Sequence, residues 1–66
     1  MVKGISEILE NWEDTAYYFF VEKYNGEVVL EEGFYEDVTS LEVPGFQVGD
    51  YRYLGNGIMR IILIEE

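Results

Sequence analysis

The stretch TAYYFFVEKYNGEVVLEEGFY, residues 15–35, decides what kind of fold this chain can form. Its first ten residues are dense in aromatic side chains and lack helical spacing, which is typical of a β-strand. Asn25-Gly26 follows, and this dipeptide is the strongest short hairpin signal because a type I′ turn needs positive φ at both central positions. The sequence therefore predicts a β-hairpin that turns at Asn25-Gly26.

A two-residue turn fixes which residues of the two strands face each other, with Val21 opposite Leu30. Six apolar or aromatic side chains then point toward the core: Tyr17, Phe19, Val21, Val28, Leu30 and Phe34. The opposite face combines aromatic or apolar residues with carboxylates: Tyr18, Phe20, Tyr24, Val29, Tyr35, Glu22, Glu27 and Glu31. Gly33 is expected opposite Tyr18, and a bulge there would shift the residues that follow. A wet sheet face normally carries polar residues, so this aromatic and acidic face is unusual.

The rest of the chain predicts one helix and a second hairpin. Ile5, Ile8, Leu9 and Trp12 have the spacing of one helix face. Residues 51–54 and 58–65 are expected to pair across Gly55-Asn56-Gly57, with Tyr53 and Arg60 as a cross-strand cation–π pair. The last strand is apolar on both faces, which favours a central or covered position.

The connection between the hairpins carries turn signals. Pro44-Gly45 predicts a type II turn, and Gly49-Asp50 predicts another turn. Thr39-Ser40-Leu41 is expected to form a short turn. Together these elements predict a single small acidic α+β domain spanning residues 1–66. Its short N-terminal amphipathic helix packs on a small antiparallel sheet of two β-hairpins, about four strands.

The charge of the chain limits its partners. Fourteen acidic residues against four basic ones give a net charge of −10, and six of the acids lie in residues 27–42. Such a chain is not expected to bind nucleic acid or an anionic membrane directly, because phosphate contacts need Lys and Arg. It favours a basic protein met through electrostatic steering. The alternative is that the acidity only confers solubility.

The residues that usually carry catalysis are scarce. The chain has no His and no Cys, which removes the common general base and the usual zinc ligands. Ser6 and Ser40 do not lie in a nucleophile elbow, and no calcium-loop or phosphate-loop motif is present. We therefore expect no enzymatic activity, no cofactor and no metal. No secretory signal and no apolar run of membrane-spanning length is visible, so a cytoplasmic location is expected.

In size, acidity and β-rich pattern, the whole chain resembles the small DNA-mimicking inhibitors that phages make against host nucleases, glycosylases and CRISPR effectors. The resemblance implies an inhibitor that engages the basic surface of a nucleic-acid-binding protein, in the cytoplasm of the host cell if the protein is phage-encoded. It includes no diagnostic motif, so the candidate partner-binding residues come from the hairpin itself. They are Glu22, Glu27, Glu31, Glu32, Glu36, Asp37, Tyr18, Phe20, Tyr24 and Tyr35.

Two other functions fit the same residues. The spare aromatic face could make the chain a structural or assembly protein, with a homo-dimer or larger homo-oligomer formed through that face. The aromatic face could also line a groove for a small cationic ligand or a peptide.

Overall fold

The computed structural model describes residues 2–66. The elements follow one another as α1 (Ile5–Trp12), β1 (Tyr18–Lys23), β2 (Val28–Phe34), α2 (Tyr35–Thr39), β3 (Phe46–Gly55) and β4 (Ile58–Glu65). The expected α+β class, the N-terminal helix and the four strands are confirmed. The five-residue helix α2 was not expected; it includes Tyr35, which was assigned to the first hairpin, and Thr39, which was assigned to a turn.

The four strands form one sheet in the order β2-β1-β4-β3. Within each hairpin the strands are antiparallel, but β1 and β4 run parallel to each other. The expected purely antiparallel sheet is therefore wrong, and the sheet is mixed. The cause is that the first strand of one hairpin pairs with the last strand of the other. The prediction of a central last strand is confirmed, because β4 is hydrogen-bonded on both sides.

Both helices pack on one face of the sheet and close the core there. The helical spacing of α1 buries Ile5, Ile8 and Leu9, as expected from the sequence. The remaining buried apolar side chains come from the strands, α2 and the connecting segments: Val2, Ala16, Phe19, Val21, Val38, Met59, Ile61 and Leu63. Trp12 extends this layer by stacking on Tyr53, with ring centroids 5.4 Å apart. One face of the sheet is thus covered by helices, and the other carries no helix.

The first hairpin turns differently from the expected type I′ geometry. Gly26 has φ of 91°, but Asn25 does not have a positive φ. The loop spans residues 24–27, where the amide of Gly26 donates to the carbonyl of Lys23 and the side chain of Asn25 accepts from the amide of Glu27. Hairpin loops longer than two residues commonly combine a tight turn with a following glycine in the left-handed conformation, and the first hairpin uses this arrangement.

Two register shifts interrupt the pairing of β1 with β2. Val21 faces Leu30 as expected, but Phe19 faces Gly33 and Tyr18 faces Phe34. One shift lies at Glu31-Glu32, so a bulge exists just before Gly33, and the other lies at Val29. Because of the shift, Tyr18 does not cover Gly33, and the side chain of Leu30 lies against that glycine instead.

The shift also changes the predicted core face. Phe19 and Val21 are fully buried and Leu30 is half-buried, as expected. Tyr17, Val28 and Phe34 were predicted in the core and are exposed instead. Tyr17 lies before the strand begins, and Phe34 is carried outward by the bulge.

The second hairpin contains the two-residue turn that the first lacks. Asn56 and Gly57 both have positive φ, 54° and 80°, and they connect Gly55 to its partner Ile58. The expected turn at Gly49-Asp50 is wrong, because β3 continues through these residues with a register shift. The expected pairing of Tyr53 with Arg60 is also wrong, since Tyr53 faces Met59. The turn at Pro44-Gly45 is confirmed by the amide of Phe46 donating to the carbonyl of Val43.

Candidate binding face

The helix-free face of the sheet is open to solvent and largely apolar. Its side chains alternate with the buried ones along each strand. Toward one end of the sheet, where β1 and β4 begin, it presents Tyr18, Phe20, Ile58, Leu54 and Phe34. Phe34 and Leu54, on the two edge strands, are 57% and 52% exposed, and Tyr18 and Ile58 lie between them. A continuous row of exposed large apolar side chains is unusual. This open face is where a ligand or partner would gain most from burial.

A shallow cleft of about 210 Å³ lies on the open face. It is lined by Tyr18, Phe19, Phe20, Glu31, Glu32, Leu54 and Ile58. We call it the sheet cleft. Its floor is aromatic and aliphatic, and the two glutamates of the β2 bulge form one rim. The cleft therefore combines apolar area with carboxylates, which the sequence predicted for this hairpin.

Tyr18 is positioned from two sides. Its ring stacks on Phe34, its cross-strand neighbour, with centroids 5.1 Å apart. Loss of solvent around the hydroxyl, together with the charge of Glu32 and a hydrogen bond to it, raises the pKa of Tyr18 above its ordinary value. The hydroxyl and the Glu32 carboxylate therefore lie close enough at the cleft rim to interact.

Phe20 and Glu22 lie beside Arg60 on the neighbouring strand. The guanidinium of Arg60 donates to Glu22 Oε1 and lies 5.9 Å from the centre of the Phe20 ring. Glu22 is only 8% exposed, so its carboxylate is committed to this ion pair. Of the candidate residues, Glu22 thus serves the internal structure, while Phe20 remains half-exposed in the cleft.

Glu27 and Tyr24 lie at the far end of β1, away from the cleft. Glu27 forms an ion pair with Lys23, at 2.6 Å between Nζ and Oε2. The hydroxyl of Tyr24 donates to Glu65 Oε1 at 3.1 Å, which raises the pKa of Tyr24. Glu27 and Tyr24 thus interact with Lys23 and Glu65 of the same chain, and they lie outside the sheet cleft.

The remaining candidates lie on α2. Asp37 Oδ2 accepts a hydrogen bond from the backbone amide of Phe34 at 3.0 Å and thereby caps the start of the helix. Tyr35 and Glu36 are exposed on this short helix. The structure therefore brings four of the ten candidates together in the cleft: Tyr18, Phe20, Glu31 and Glu32.

Leu54, Ile58, Arg52 and Arg60 belong to the open face but were not candidates. They come from the second hairpin, and they join the cleft residues only because β4 pairs with β1. The register places Ile58 beside Tyr18 and Arg60 beside Phe20. Arg52 and Leu54 are two residues apart in one strand, so strand alternation alone puts them on the same face. No local pattern in the sequence indicates that this face continues onto β1.

Other site types receive no support from residues 2–66. This part of the chain contains no group of three or more acidic side chains placed to hold a metal ion. Within the same range, neither helix is long and apolar enough to cross a membrane. No known family model matches the chain, and it has no significant match among curated proteins or solved structures.

Proposed function

We propose that this chain is a non-enzymatic binding protein whose sheet cleft engages a basic surface of a nucleic-acid-binding protein by charge mimicry. The observation that carries the proposal is the placement of Glu31 and Glu32 on the rim of an exposed apolar cleft containing Tyr18 and Phe20. Carboxylates on that rim can accept hydrogen bonds from arginine or lysine side chains that otherwise contact phosphate. The aromatic rings supply the desolvated contact area that binding hot spots need.

The distribution of charge favours the approach of a cationic partner protein to one side of the open face. The net charge of −10 attracts a cationic protein over distances longer than a contact. Arg52 and Arg60 lie on the β3 side of the open face and would repel such a protein there. A basic partner is therefore expected to dock on the β2 and β1 side, over the two glutamates and the two aromatic rings.

Capture from a bacterial lysate on the immobilised protein tests this function. At low salt, we expect retention of a basic nucleic-acid-binding protein that added double-stranded DNA displaces. Raising the salt to about 1 M shortens the screening length to roughly 3 Å and should weaken the capture strongly. A retained protein that DNA does not displace, or capture that persists in high salt, would argue against charge mimicry.

A further inference from the structure

The open face carries opposite charges at its two edges, in one row across the sheet. Phe20 lies beside Arg60, and Arg60 faces Arg52 on the edge strand β3. On the other side of Phe20, the bulge places Glu31 and Glu32 between the paired positions Leu30 and Gly33. The row therefore runs from two carboxylates on the β2 edge, across an aromatic ring, to two guanidinium groups.

Of the two arginines in this row, Arg52 is the one that lacks a counter-ion. Among residues 2–66, Arg60 is paired with Glu22, whereas Arg52 forms no ion pair. Like charges directly opposite each other on neighbouring strands are unfavourable. Asp50 is the nearest acid along the same strand face, but its Oδ1 accepts from the amide of Tyr51 instead. The β3 edge of the face thus presents an uncompensated positive charge on a strongly acidic protein.

We propose that a second copy of this chain covers the open face in a symmetric, face-to-face dimer. A two-fold axis parallel to the strands, midway between two sheets, places β2 of one copy over β3 of the other. Glu31 and Glu32 then meet Arg52 of the second copy, and the same contact recurs on the opposite side. Phe20 comes to lie over Arg60 of the second copy, where a cation–π contact forms.

The apolar residues of the face form the row next to the charged one, toward the end of the sheet where β1 and β4 begin. Tyr18 and Ile58 pair on the two central strands and Leu54 lies on β3. All three line the cleft and become buried between the sheets. Sheets packed face to face lie about 10 Å apart, so these side chains can interdigitate.

The proposed dimer does not require a partner protein other than a second copy of this chain. A basic protein and the second copy would compete for the same cleft, because both present arginine to Glu31 and Glu32.

Sedimentation equilibrium of charge-exchange variants tests the dimer. The wild-type chain is expected to sediment at twice its 7.7 kDa mass at micromolar to millimolar concentration. Arg52→Glu should weaken dimerisation at least tenfold by facing Glu31 and Glu32 of the second copy. Lys3→Glu is the matched control, since it produces the same net charge but lies beside Gln47, at the opposite end of β3 from the sheet cleft, and it should leave the dimer intact. Far-ultraviolet circular dichroism checks that each variant folds.

Mixing provides the second arm of the test. The double variant Glu31→Lys/Glu32→Lys should also be monomeric alone, because its lysines would face Arg52. Mixed with the Arg52→Glu variant, it should form a heterodimer in which every edge contact joins opposite charges. A monomeric wild-type chain at millimolar concentration would overturn the proposal, as would a dimer that Arg52→Glu does not weaken. A monomer that still captures a DNA-displaceable basic protein would leave the proposed function standing.

Discussion

Glu22 and Arg60 form an ion pair between β1 and β4, at the junction of the two hairpins. The two residues are 38 positions apart in the chain. Glu22 is almost completely removed from solvent, whereas the side chain of Arg60 remains 46% exposed. The pair therefore joins the halves of the sheet while leaving the guanidinium accessible on the open face.

Removing Arg60 alone should destabilise the protein, because the carboxylate of Glu22 would be left buried without its partner. We expect Arg60→Met to lower the free energy of unfolding by about 1–3 kcal/mol, the range for a buried polar group that loses its hydrogen-bond partner. Urea unfolding, followed by the fluorescence of Trp12, measures the change. The double variant Glu22→Gln/Arg60→Met should recover part of the loss, since it buries no charge. Strict additivity of the two single substitutions would contradict the coupling.

Gly49 allows β3 to pass close to Ile64 on the neighbouring strand. An added Cβ at Gly49 would lie 2.5 Å from Ile64 Cγ2, and the backbone there does not have positive φ. We expect Gly49→Ala to cost about 1–3 kcal/mol through overpacking. In the background of Ile64→Ala, which removes the contacting atoms, the same substitution should cost much less in urea unfolding.

Gly26→Ala is the control for Gly49→Ala. Gly26 has φ of 91° and no atom within 4 Å of an added Cβ, so its substitution costs only the strained backbone, about 1–2 kcal/mol. Ile64→Ala should not reduce that cost. An equal rescue of both glycine variants by Ile64→Ala would show that contact with Ile64 is not the reason for glycine at position 49.

Glu32→Gln should lower the pKa of Tyr18 toward 10. Burial raises this pKa first, and the charge and hydrogen bond of Glu32 raise it further, so the substitution removes part of the shift. Because the pKa of Tyr18 is raised in the folded state, its shift contributes to the free energy of unfolding. That contribution is complete at pH values below the unfolded pKa of 10 and is lost as the pH rises through the folded pKa. Titration of the Tyr18 ring carbon by NMR measures the change.

Tyr24 is the internal control in that titration. Its pKa is raised mainly by the hydrogen bond to Glu65, so it should respond to Glu65→Gln and not to Glu32→Gln. If the pKa of Tyr18 is unchanged in the Glu32→Gln variant, the rim carboxylate does not contact the hydroxyl and the proposed geometry of the cleft is wrong.

Local patterns in the sequence predicted the parts of the fold that depend on neighbouring residues. The spacing of Ile5, Ile8 and Leu9 identified α1, and the turn signals around Asn25-Gly26 and Asn56-Gly57 identified both hairpins. The parallel pairing of β1 with β4 could not be predicted, since it joins segments separated by most of the chain. Helix α2 is too short for helical periodicity to appear.

The candidate site was predicted in part, for the same physical reason. Tyr18, Phe20 and Glu31 belong to one hairpin, so alternation along its strands placed them on a shared face. Glu32 joins them only because of the bulge in β2. Glu22 belongs to that face too, but its ion pair with Arg60 depends on the pairing between hairpins. The hydrogen bonds of Tyr24 to Glu65 and of Asp37 to the backbone of Phe34 likewise follow from folding rather than from a strand pattern.

Retention of the captured basic protein by charge-matched variants tests the central claim most directly. The double variant Glu31→Gln/Glu32→Gln removes two charges from the sheet cleft, and Glu10→Gln/Glu13→Gln removes two charges from α1 and the residue after it. Both lose the same net charge, so general steering is matched. We predict at least tenfold weaker retention at low salt for the cleft variant and less than twofold for the helix variant. Equal retention by the two variants would contradict binding through the sheet cleft.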